Sequence, residues 1–168
     1  KERMFALHES IKYIINNEIP GDFVECGVWK GGSTMMIAQT LLEMGVSDRT
    51  IYLYDTFEGM TKPTEFDNRV SDEEVNVLKN WKSKQKDEHN EWCFASLSEV
   101  KENMYSTSYP HENLIFVKGD VVKTIPESIP ETVSLLRLDT DWYESTLHEL
   151  NHLFPVLTNS GVLIIDDY

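Results

Sequence analysis

The chain has 168 residues, 40% hydrophobic and 11% aromatic, which suits a single globular domain around one core. Its formal net charge of −14, from 29 acidic and 15 basic residues, sets up a field that repels a phosphate backbone, so nucleic acid is not expected as a partner. No apolar run approaches the roughly 18 residues of a membrane span, and no secretory signal pattern is present, so no membrane partner is expected either.

Met4, Leu7, Ile11, Ile14 and Ile15 recur at helical spacing and predict an amphipathic opening helix, stopped by Pro20-Gly21. "FVECG" (23–27) predicts a short buried strand. "GGST" (31–34) then leads into a helix with Ser33 as N-cap and Ile37, Ala38, Leu41 and Leu42 facing inward. Further strands are predicted at 50–55 ("TIYLYD"), 113–120 ("NLIFVKGD"), 133–139 ("VSLLRLD") and 161–167 ("GVLIIDD"), with a helix from Tyr143 to about Leu157 between the last two. Strand and helix alternate, and the strands are near-continuous apolar runs. Both features predict an α/β fold with a parallel sheet covered on both faces.

Ligands of such sheets bind beyond the carboxyl ends of the strands. Glu25, Asp55, Asp120, Asp139 and Asp166 all fall at those ends, so that edge is the expected site. The connection from Gly59 to Asn113 is far longer than an ordinary strand-to-helix link. It is polar and charged, with one helix suggested by Val75, Leu78 and Trp81 and another by Leu97, Val100 and Met104. It reads as a lid or acceptor-binding insertion, residues 60–112, within a single domain spanning 1–168. Trp81, Trp92 and Phe94 in it either stack on a sugar ring or pack the lid onto the domain, the second being preferred.

The fifth strand ends one residue before the chain does, and an apolar parallel edge would be left open. Further strands of a longer parent protein, or a partner, are expected to cover it; Lys1 in place of Met points the same way, and a homo-oligomer is one arrangement that would serve. Cys26 and Cys93 lack any metal-ligand spacing, and Cys26 reads as a small core residue. A reducing, cytoplasmic compartment fits them.

Three strand ends carry the makings of a nucleoside pocket. "VECGVWKGGST" joins an acid-tipped strand to a glycine-rich turn and a helix start, where backbone N–H groups are free to meet a ligand. It is neither GxGxxG nor a Walker loop, which argues against a nicotinamide-dependent oxidoreductase. Asp55 at the end of strand two is placed to accept both hydroxyls of a ribose, and Asp120 after strand three to face an adenine amine. Taken singly, each acid reads more readily as a turn or helix-cap residue; their joint placement favours the pocket.

"GDFVECGVWKGGS", "YDTFEGM", "LLRLDTDWYEST" and "GVLIIDDY", in this order, resemble the macrocin O-methyltransferase (TylF-type) family of metal-dependent S-adenosylmethionine methyltransferases, which modify sugar hydroxyls in natural products. The resemblance implies a Rossmann-like class I methyltransferase with sheet order 3-2-1-4-5, lacking the last strands of that fold. It implies that Glu25, Gly27, Gly31 and Ser33 line the methionine part of the cofactor, that Asp55 with Thr56 and Phe57 meets the ribose, and that Asp120 and Val121 neighbour the adenine. It also implies that Asp139, Asp166 and Asp167 hold a divalent metal, Mg²⁺, opposite a small hydroxylated acceptor such as a sugar.

The metal gives a physical reason for acids on two adjacent strand tips: converging carboxylates need a counter-charge, and Mg²⁺ prefers hard oxygen ligands. Such an ion can hold a hydroxyl and lower its pKa, with Asp139 in the catalytic centre. Asp141 is either the general base or outer support for the metal. His148 reads as a surface or core histidine, and Glu144 as a favourable charge in the first turn of its helix. The alternative from another class is a non-catalytic cofactor-binding or scaffold domain of the same fold.

Overall fold

The structure, a computed structural model, describes residues 2–67, 76–125 and 127–166. Helix α1 (Glu2–Asn16) precedes strand β1 (Asp22–Cys26), helix α2 (Gly32–Glu43) and strand β2 (Ile51–Asp55). Helices α3 (Val77–Lys84) and α4 (Leu97–Ser106) follow, then strand β3 (Leu114–Lys118), the short helix α5 (Val121–Thr124), strand β4 (Val133–Leu138), helix α6 (Tyr143–Leu153) and strand β5 (Leu157–Ile165). The strands pair in the order β3-β2-β1-β4-β5, all parallel, as the sequence predicts.

Alternation along the strands divides the core into two layers. Phe23, Leu53 and Leu135 point to the face covered by α1, α2 and α4. Val24, Cys26, Tyr54, Leu136 and Leu138 point to the face covered by α5 and α6. This two-sided burial explains the unbroken apolar strands.

Three boundaries differ from the sequence reading. Helix α2 is capped by Gly31 in the left-handed region (φ 85°), not by Ser33. The turn needs positive φ there, and the Ser33 hydroxyl is drawn inward to Glu25 instead. Helix α6 ends at Leu153, because Pro155 turns the chain into a 3-10 turn over Phe154–Val156. Strand β5 therefore begins at Leu157, four residues earlier than Gly161. Its register against β4 shifts between Val133 and Leu135, and Ser160 takes φ 67°, which absorbs the polar Thr158–Ser160 stretch as an irregularity.

The 60–112 insertion is not uniform. Val100 and Met104 of α4 are fully buried beside α2, and Asn103 donates to the Lys30 carbonyl (2.9 Å), so α4 belongs to the sheet's covering layer. The part that crosses above the strand ends is the stretch around α3. Val75 lies outside the described residues; α3 starts at Val77, capped by the Asn76 side chain on the Lys79 N–H. Trp81 donates to the Met60 carbonyl (2.8 Å), Trp92 meets Trp142 edge-on at 5.7 Å, and Phe94 stacks on His89 at 4.2 Å. Trp92 thus packs the insertion onto the domain, as preferred from sequence, whereas the contacts of Trp81 and Phe94 lie within the insertion. No helix among the described residues is long and apolar enough to cross a membrane.

Candidate active site

A cavity of about 300 Å³ opens at the carboxyl ends of the strands. Gly27 of the β1 end, Trp29, Asp55 and Thr56 of the β2 end, and Gly119, Asp120 and Val121 of the β3 end form one part of its wall. Asp139, Thr140, Asp141, Ser145, Asp166 and Arg3 form another, and Gly59, Met60, Thr61 and Cys93 of the insertion close the rest. The insertion is fixed over the site by specific bonds. Trp142 Nε1 donates to the Thr61 carbonyl (2.9 Å), and the Tyr143 N–H donates to Asp67 Oδ1 (2.7 Å).

Gly27 sits where two strand ends meet. Its N–H donates to the Tyr54 carbonyl and the Asp139 N–H donates to the Cys26 carbonyl (2.8 Å). With φ 81°, a side chain there would overlap the Asp139 carbonyl, so only glycine lets the two loops touch. Asp55 Oδ2 accepts the N–H groups of Val28 and Trp29 (2.7 and 2.9 Å), and its Oδ1 accepts that of Phe57 (2.7 Å). The carboxylate thus ties the β1 turn to the β2 turn while lining the cavity. Asp120 also lines it and caps α5 by accepting the Val122 N–H (3.1 Å).

Four other sequence-predicted residues stand behind the wall. Glu25 is fully buried inside β1 and accepts from the Ser33 and Thr34 hydroxyls and from Arg137 Nη1. Gly31 faces Val100 and Met104, and Phe57 is buried in the α1/α2/α4 layer.

The residue that organises the acidic tips is Arg137. Its Nη1 donates to Asp139 Oδ2 (2.8 Å) as well as to Glu25 (2.6 Å), and its Nη2 donates to Asp166 Oδ1 (2.7 Å). Asp166 Oδ2 accepts from Arg3 of α1. The counter-charge expected from a metal is therefore supplied, in these residues, by guanidinium groups. Among the described residues no group of three or more His, Cys, Asp or Glu is arranged to hold a metal. Asp167, the third expected ligand, lies outside the described residues.

The charge balance remains negative. Three carboxylates (Glu25, Asp139, Asp166) surround one buried guanidinium, with the largely exposed Arg3 beyond it. Burial pushes the Asp139 carboxyl up to about 6 against the opposing pull of Arg137, with Asp166 and Glu25 adding to the rise. Burial also raises Glu25, despite Arg137, Ser33 and Thr34. Burial opposes the charge on Arg137, yet its three acids hold it protonated, its pKa raised well above the usual value. A site of hard oxygens with surplus negative charge fits a divalent cation in chemistry.

The sequence profile of the macrocin-O-methyltransferase (TylF) family matches residues 1–168, the whole chain. The chain belongs to the macrocin O-methyltransferase (TylF) family. Among relatives in this family, the demethyldecarbamoylnovobiocin O-methyltransferase of Streptomyces niveus is 30% identical over 167 residues, covering 99% of this chain and 60% of the relative. The mycinamicin III 3''-O-methyltransferase of Micromonospora griseorubida is 31% identical over 169 residues, covering 99% and 63%. The solved O-methyltransferase NovP superposes with a TM-score of 0.82 at 31% identity, covering 99% of this chain and 64% of that one. The calicheamicin methyltransferase CalS11 superposes at 0.73 with 18% identity, covering 98% and 63%, a likeness of fold. The TylF-family chain described here spans about three fifths of the length of these curated relatives.

Within this TylF-family site, sequence reasoning missed Arg137, Arg3, Thr140 and Cys93. A signal for Arg137 existed. An arginine inside "LLRLD" is buried by its neighbours' pattern and demands an acid, and in a 3-2-1-4-5 sheet its register partner on β1 is Glu25. Nothing local marked Arg3, whose partner lies at the far end of the chain. His148 packs against His152, ring centroids 4.0 Å apart and tilted by 32°, consistent with a structural histidine.

Proposed function

We propose that this chain is the cofactor-binding and catalytic part of an S-adenosylmethionine-dependent, Mg²⁺-assisted O-methyltransferase that acts on a hydroxyl of a sugar or other small natural-product acceptor. The observation that carries the reading is the convergence of Gly27, Asp55, Asp120, Asp139, Asp141 and Asp166 on one cavity at the strand ends. The acceptor class follows the relatives, whose names refer to a novobiocin precursor and to the 3'' position of mycinamicin III.

In this reading Gly27 and Asp55 border the methionine and ribose of the cofactor, with Thr56 beside them, and Asp120 and Val121 border the adenine. Glu25, Gly31, Ser33 and Phe57 brace that cradle from behind. S-adenosylmethionine supplies an electrophilic methyl carbon on its sulfonium. Asp139, Asp166 and Asp167 would hold the Mg²⁺, which when bound supplies positive charge to polarise the acceptor hydroxyl and stabilise the developing alkoxide. Asp141 takes the hydroxyl proton on its carboxylate. Met60, Thr61 and Trp29 wall the cavity against water and hold the acceptor in line, a positioning effect worth about 7–11 kcal/mol at best.

Saturating S-adenosylhomocysteine should raise the melting temperature, by about 2.7 kcal/mol of added stability at a hundredfold excess over Kd. Asp139→Ala should abolish Mg²⁺ binding measured by calorimetry while the cofactor product still binds. No thermal shift with the cofactor product would sink the reading. A second reading, a non-catalytic cofactor-binding domain, is favoured by the guanidinium groups that already offset part of the charge on the acids. Cofactor binding without methyl transfer to any hydroxylated acceptor would select it.

A further inference from the structure

The acidic pair has two guanidinium partners, and they differ in what it costs to remove them. Arg137 is bound to Glu25, Asp139 and Asp166, and its side chain is only 9% exposed. Pulling it away would strand Glu25 as a buried charge, so it is a fixed strut. Arg3 also holds Asp166, but its side chain is 66% exposed and leans along the cavity wall from the first turn of α1. An exposed guanidinium moves into water at little cost. A cation in the first turn also faces the positive end of the helix dipole, so the position is not chosen for helix stability.

Asp166 itself is 7% exposed, with Oδ1 taken by Arg137 and Oδ2 by Arg3. A dication that uses this carboxylate approaches oxygens that already face two guanidinium groups, and its charge repels both. We propose that Arg3 is an exchangeable counter-cation: it neutralises Asp166 when the site carries no metal and releases the carboxylate when Mg²⁺ enters. This rests on the metal reading above. It makes the start of α1 responsive to loading of the site, whereas Arg137 keeps the β1, β4 and β5 tips in register throughout.

The test is a calorimetric Mg²⁺ titration of the chain, of Arg3→Gln and of Lys12→Gln. Lys12 is an exposed cation on the same helix, paired with Glu9 and remote from the cavity wall, so it reports the general effect of removing one positive charge. Arg3→Gln should bind Mg²⁺ about five- to tenfold more tightly than the parent, against about twofold or less for Lys12→Gln. Any difference in melting temperature between the parent and Arg3→Gln should shrink at saturating Mg²⁺. Equal tightening in both variants, or weaker binding in Arg3→Gln, overturns the exchange while leaving the metal reading intact. Absence of Mg²⁺ binding in all three chains overturns both.

Discussion

Leu136 and Leu138 face α5 and α6, so Arg137 between them must face the opposite layer, where Glu25 waits two hydrogen-bonding hydroxyls deep. That single alternation gathers three acids from three strand ends into a network anchored on one cation. The acids themselves were legible from the sequence because they stand at strand ends. Their partner was harder to read, because strand order alone sets β1 beside β4 and the register that pairs Arg137 with Glu25 comes from the structure. Glu149 is a second buried acid, on the other side of the site loop. Burial pushes it up to about 8, with the Thr140 hydroxyl opposing and Asp139 adding to the rise. Its folded pKa lies above its unfolded one, so between about pH 4.5 and 8 the unfolded chain releases a proton that the folded chain keeps, and stability falls as pH rises. Glu149→Gln should flatten this slope and raise stability above pH 8 by an amount on the order of 3 kcal/mol, read from urea melts at pH 5 and 8.5. Asp141 holds φ 65°, a conformation that Asn adopts readily and alanine does not. The base role proposed for it is therefore tested by Asp141→Asn, expected to lower methyl transfer about 10²–10⁴-fold with cofactor binding retained.

At the level of elements, strand identity followed from apolar runs separated by helical periods and strand order from the family resemblance, and the observed sheet has that order. Of the misplaced boundaries, the end of α6 is set locally by Pro155, and the other two lie where a tertiary bond overrides a local preference. Ser33 is a good cap by type, but Glu25 claims its hydroxyl. The stretch before Gly161 looks like a turn, but β4 continues beside it and recruits it into β5. The insertion was legible as a long polar connection; its division was not, because α4 is amphipathic in the same way as any surface helix. Among the described residues, the contacts that hold the rest of the insertion down include the Trp142 indole on Thr61, Asp67 on the start of α6, the Asn90 N–H on the Glu58 carbonyl and the edge-on Trp92–Trp142 pair. Trp142→Phe removes the first bond while retaining most of the ring. It should cost about 0.5–1.5 kcal/mol and increase proteolytic cleavage after Met60 and Phe66, seen by mass spectrometry of limited chymotryptic digests.

Across the whole molecule, the two faces of the sheet are divided in labour. The α1/α2/α4 face carries the Glu25–Arg137–Asp166–Arg3 network, and the α5/α6 face is apolar apart from its rim and Glu149. Both meet at the strand ends, where the missing side chain of Gly27 allows the Asp139 backbone to rest against the β1 turn. The place where a nucleoside would lie and the place where an ion would lie therefore share one peptide-to-peptide contact. A displacement of either loop is transmitted to the other with no intervening slack. By thermodynamic reciprocity, whatever factor S-adenosylhomocysteine applies to the Mg²⁺ dissociation constant, Mg²⁺ must apply to that of S-adenosylhomocysteine. Paired calorimetric titrations should return the same factor, greater than one in favour of binding, from both directions.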